Sequence, residues 1–128
     1  MTRLLLDLLK ETYSDETQPK VLVELGASTM LPCLVAATRY PMMRCIATDL
    51  KKVMPLVEQS HLENDNLSNV VPLELAWGDR GHHERLKEQL GGQPVDYIIC
   101  ADLIYDEVSC GEAYGVMTVH VCRTFLTS

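Results

Sequence analysis

Four short apolar runs divide this chain, and each is followed by a polar or small residue that ends it. The runs are Val21–Leu25, Cys45–Thr48, Val70–Leu75 and Val95–Ala101, closing respectively on Gly26, Asp49, Trp77 and Asp102. Helix-length segments fill the intervals. Leu31–Tyr40 carries Pro32 in its first turn, a favoured place for proline. Val53, Leu56, Val57 and Leu62 mark a helix face ahead of Asn64-Asp65-Asn66, and the charged stretch from His82 to Leu90 is stopped by Gly91-Gly92. Ahead of all of these, Leu4, Leu5, Leu8 and Leu9 recur at helical spacing, followed by a polar loop from Ser14 to Lys20. Strands that alternate with helices in this way predict an α/β fold: a parallel sheet flanked by helices and joined by right-handed crossovers. Val116–Leu126, rich in Val and Thr, fits one further strand.

The 128 residues, 47% apolar and 23% charged, suit a single domain spanning 1–128 with one core. A net charge of −7 and the absence of a clustered Lys/Arg surface exclude a nucleic-acid backbone as the main partner. The five cysteines, Cys33, Cys45, Cys100, Cys110 and Cys122, lack C-x-x-C spacing and read as small apolar fillers rather than as zinc ligands or a disulfide framework. Asp7 and Lys10 interrupt the leucine-rich start too early for a membrane span or signal core, so a cytosolic or nuclear protein, away from membranes, is expected.

In an open parallel sheet, ligands lie beyond the carboxyl ends of the strands, where Gly26, Asp49, Trp77 and Asp102 would line one edge. Just over twenty residues separate Gly26 from Asp49, the interval a βαβ unit needs to set a carboxylate beside the hydroxyls of a bound ribose. Trp77, the only tryptophan, suits either the face of an adenine or a partly buried place in the core. Glu24 lies inside an apolar run and requires a partner there, which makes it a brace for the turn above it. A nicotinamide-binding turn is not expected, since only the first glycine of G-x-G-x-x-G is present in Gly26–Leu31.

The segments Val23–Pro32, Ala47–Asp49, Leu75–Gly78 and Asp96–Asp106 together resemble successive motifs of the seven-strand, Rossmann-like methyltransferases that use S-adenosyl-L-methionine. The resemblance runs over residues 21–106 and is nearest to the small protein-lysine methyltransferases of family 16. Its most specific part is D-x-x-Y at Asp102 and Tyr105. The resemblance implies a methionine-holding turn at Gly26, Ala27 and Ser28, a ribose-binding Asp49, and Trp77 with Ala101 on either side of adenine. It implies as well that Asp102 and Tyr105 orient the amine of a protein lysine, although Asp102 also fits a helix N-cap.

Two departures from the family pattern stand out. Ser28 and Met30 occupy the second and third glycine positions of the turn, where a side chain is expected either to obstruct the ligand or to force a left-handed backbone at roughly 1–2 kcal/mol. The chain also ends before the family's last strands, so the sheet is expected to be incomplete at its C-terminal strands. These departures leave a second expectation beside the enzyme: a methyltransferase-like binding or regulatory protein without turnover.

Overall fold

The computed structural model describes residues 2–100. Helix α1 (Thr2–Thr12) leads into β1 (Lys20–Leu25), followed by α2 (Leu31–Arg39), β2 (Met43–Asp49), α3 (Met54–Glu63), β3 (Val70–Glu74), α4 (Arg80–Leu90) and β4 (Tyr97–Cys100). The expected alternation is therefore present, and the strands pair in parallel in the order β3-β2-β1-β4. The chain steps outward from β1 to β3 and then returns to the far side of β1. That reversal opens a crevice beyond the carboxyl ends of β1 and β4. Ala101, Asp102, Tyr105 and the strand expected within 116–126 lie outside the described residues.

Alternate residues of each strand serve opposite faces of the sheet. Leu22, Met43, Cys45, Ala47, Val70, Tyr97 and Ile99 pack under α1, α2 and α3 with Leu5, Leu9, Leu34, Ala36 and Val57. Val21, Val23, Ile46 and Ile98 turn the other way and meet Leu86 and Leu90 of α4. Burying each such side chain stabilises the domain by about 1.5–3 kcal/mol, so both faces contribute and the three-helix face contributes more. Among the described residues no helix is long and apolar enough to cross a membrane, and no group of three His, Cys, Asp or Glu could hold a metal ion.

Two sequence expectations shift. The buried stripe of α3 is Met54, Val57 and Ser60, while Leu56 and Leu62 are 44% and 68% exposed. Val53 precedes the helix and packs beside the core, and at about 100° per residue a stripe centred on Met54 and Val57 rotates Leu56 and Leu62 away from the sheet. The fourth strand begins two residues later than its apolar run. Asp96 instead stitches the strand start to β1, its N–H donating to Val21 O and its Oδ2 accepting from Val21 N–H, both at 2.9 Å.

Candidate cofactor site at the carboxyl edge of the sheet

The turn after β1 is built from below. Glu24 is only 2% exposed, and its Oε2 accepts the Cys33 N–H in the first turn of α2 at 3.2 Å. Helix starts leave such N–H groups without intrahelical partners, and Met30, at the N-cap of α2, supplies no side-chain bond. Glu24 fills that role from the neighbouring strand. Burial pushes its carboxyl up to about 7, against the Cys33 hydrogen bond that favours the charged form, with Asp49 adding repulsion. Thr48 Oγ1 donates to Glu24 O at 2.7 Å, tying the acid's backbone to β2. Cys33 is itself fully buried, and burial pushes its thiol well above the ordinary value, as expected of an apolar filler.

Above this brace the backbone turns left-handed three times, at Gly26 (φ 64°), Ser28 (φ 51°) and Met30 (φ 51°). Glycine takes such angles without strain; at Ser28 and Met30 they cost roughly 1–2 kcal/mol each. The strain expected from the two glycine replacements is thus present, whereas the Met30 side chain does not reach the crevice. It is 0% exposed and packed in the core under α2, because the left-handed backbone swings its Cβ inward. Ala27 is also buried. The turn therefore offers the crevice its backbone and the exposed Ser28, and remains closed by Ala27 N–H to Thr48 O at 2.9 Å and Met30 N–H to Ala27 O at 2.7 Å.

Asp49 ends β2 half-buried. Its Oδ2 accepts the Ser28 N–H at 2.9 Å and its Oδ1 the Leu50 N–H at 2.7 Å. The structure thus brings Asp49 and the Gly26–Ser28 turn together across the mouth of the crevice. A carboxylate has about four lone-pair sites, so two remain for hydroxyl donors. After β3, Leu75 N–H continues the ladder to Asp49 O at 2.8 Å, and Trp77 and Gly78 then form the corner of a β-turn closed by Asp79 N–H to Ala76 O at 3.1 Å. Gly78 (φ 83°) at the third position marks a type II turn, and a Cβ there would meet nothing within 4 Å. Trp77 is 54% exposed, which decides against the core reading and leaves an indole face open at the carboxyl edge. A backbone-lined turn, a carboxylate with spare acceptor capacity and an exposed indole fit the methionine, ribose and adenine portions of S-adenosylmethionine.

One residue of this edge carries no sequence signal as a site residue: His82, whose ring bonds the Trp77 turn. Asp79 could have been found, since an Asp directly before a helical stretch is a preferred N-cap, and its Oδ1 accepts the His82 N–H at 3.0 Å.

The parallel order and the reversal beside β1 define a Rossmann-like sheet flanked by helices. The chain belongs to the lysine methyltransferase family, whose profile matches residues 2–118. No curated protein matches it. Among solved structures it is similar to the N-terminal domain of human METTL16 in complex with SAH, at 15% identity and a TM-score of 0.57, covering 82% of this chain and 42% of that one. An O-methyltransferase family protein from Burkholderia thailandensis is similar at 16% identity and a TM-score of 0.54, covering 80% and 30%. The methyltransferase SibL in its apo form is similar at 14% identity and a TM-score of 0.51, covering 70% and 24%. The chain spans less than half the length of each of these solved chains.

Proposed function

We propose that this domain binds S-adenosylmethionine over the carboxyl ends of β1, β2 and β3 and directs its methyl group to the amine of a protein lysine. The observation that carries the reading is the 2.9 Å bond between Asp49 Oδ2 and the Ser28 N–H. It holds a half-buried acid against the turn in a chain of the lysine methyltransferase family. Asp49 accepts the ribose hydroxyls, the Gly26–Ser28 backbone holds the methionine portion, and Trp77 covers one face of adenine, with Ala101 on the other.

When bound, S-adenosylmethionine supplies an electrophilic methyl on a sulfonium, open to in-line attack by an unprotonated amine. A lysine of ordinary pKa, about 10.4, reaches that form at pH 7 only at a cost of about 4–5 kcal/mol. An apolar surround beside the sulfonium charge meets this need by lowering the amine's pKa so that its proton passes to water, and Asp102 and Tyr105 orient the neutral amine by accepting its hydrogen bonds.

The test is calorimetric titration with S-adenosylhomocysteine together with methyl transfer to lysine-containing peptides. Asp49→Ala is expected to weaken binding by about 1.5–3 kcal/mol, the value of hydrogen bonds to a charged group, without unfolding the domain, although loss of the bonds to the Ser28 and Leu50 N–H groups lowers the melting temperature. Asp102→Asn and Tyr105→Phe are expected to abolish transfer and keep affinity. No binding by the unaltered chain overturns the reading, and binding without transfer to any lysine peptide leaves the regulatory alternative.

A further inference from the structure

β3 loses its neighbour at Leu75, whose N–H is the last to reach β2. The next N–H, that of half-buried Ala76, donates to His82 Nδ1 at 2.8 Å. His82 belongs to the first turn of α4 and lies four and eight residues before Leu86 and Leu90, which anchor that helix in the core. Positions so spaced share a helix face, so the imidazole extends the buried stripe of α4 to the loop at its start. The segment from Ala76 to His82 is then closed by three bonds: Ala76 N–H to the ring, Asp79 N–H to Ala76 O, and His82 N–H to Asp79 Oδ1.

We propose that His82 is the positioning residue of the Trp77 turn: its ring transmits the fixed placement of α4 to the backbone that aims the indole over the carboxyl edge. A ring that accepts at Nδ1 carries its hydrogen on Nε2, and Nε2 stands 3.7 Å from Glu74 Oε2. The charged groups around the ring are Glu74 on β3, Asp79 at the helix cap and Arg85, whose Nη1 is 3.7 Å from the same Glu74 oxygen. Glu74 thus favours the tautomer in which Nδ1 accepts. Loss of the ring strands the Ala76 N–H where no strand neighbour among the described residues replaces it, and the turn is free to swing with its tryptophan. The consequence for the cofactor rests on the function proposed above, whereas the consequence for Trp77 does not.

Trp77 is the sole tryptophan, so indole fluorescence of the full chain reports this turn alone. The variants are His82→Ala, His82→Leu, which keeps bulk without an acceptor, and His82→Asn, whose amide oxygen can stand where Nδ1 does. Without any ligand, the Ala and Leu variants are expected to show lower indole anisotropy and stronger acrylamide quenching than the unaltered chain, and the Asn variant to restore both. Affinity for S-adenosylhomocysteine is expected to fall about threefold to tenfold with Ala or Leu, matching one ordinary hydrogen bond, and to recover with Asn. Unchanged anisotropy and affinity in the Leu variant, even with a lower melting temperature, overturn the proposal, as does failure of Asn to restore them. If the Ala variant does not fold, Leu against Asn carries the test. If the unaltered chain binds no S-adenosylhomocysteine while the indole still loosens in the Leu variant, the brace stands and the cofactor reading alone falls.

Discussion

The turns after β1 and β3 both present residues over the carboxyl edge, yet they are held by opposite means. The first is fixed from beneath: Glu24 bonds the start of α2, Met30 is sunk in the core, and two non-glycine residues sit at φ 51°. The second is held from the side by polar groups, with a glycine where the left-handed angle falls and its large residue open to solvent. Strain persists only where packing over-determines it. The first turn therefore keeps two of its three left-handed positions without glycine, because the core holds Met30 and Asp49 holds the Ser28 N–H, while the second places its left-handed angle at a glycine. One consequence is that damage to the first turn should appear as global instability, and damage to the second as local loosening.

The largest expected effect is at Met30. Met30→Ala should lower stability by about 2–5 kcal/mol, the range for truncating a buried methionine, seen as a reduced denaturant midpoint. A change within experimental error would mean that the first turn is no better anchored than the second.

Glu24 sharpens the contrast through pH. Its folded value of about 7 stands above the ordinary 4.5, so the protonated form is the one the fold favours. The stability this confers is complete below about 4.5 and is lost as pH rises through 7, a swing of about 3 kcal/mol. Glu24→Gln cannot titrate, so stability curves of the two proteins should diverge in slope between pH 4.5 and 7 and run parallel above it. Parallel curves throughout would place the acid in water rather than in the sheet.

The smallest effect is expected at Gly78. With open space around its position, Gly78→Ala should cost only the backbone penalty of φ 83°, about 1 kcal/mol. A loss as large as that for Met30→Ala would erase the distinction between the turns.

The strands, their order of appearance and the residues that close the first two, Gly26 and Asp49, were legible because a buried parallel strand must be an apolar run and a loop must break it. Glu24 was legible as a brace for the same reason, since an acid in such a run needs a donor. The direction of Met30 was not, because reading a side chain in glycine's place as an obstruction assumes that it faces the ligand, and a positive φ reverses that assumption. Nor was the face of α3, where Leu56 and Leu62 share the apolar spacing but not the burial. His82 was hidden for a third reason: its bond to Ala76 depends on how α4 docks, and the composition of a charged helix carries no trace of docking.

The central place of β1 also bears on the order in which the domain can be completed. Its first residues bond with Asp96, 75 positions along the chain, and its free side is filled by β4. At about 5–20 residues per second, the roughly fifty residues between the end of β2 and the end of β4 take about 3–10 s to synthesise. During that interval Val21, Val23 and the unpaired edge of β1 stand open to any passing strand. For β1 the hazard of misassociation is greatest before β4 emerges, and it ends when β4 pairs along that edge.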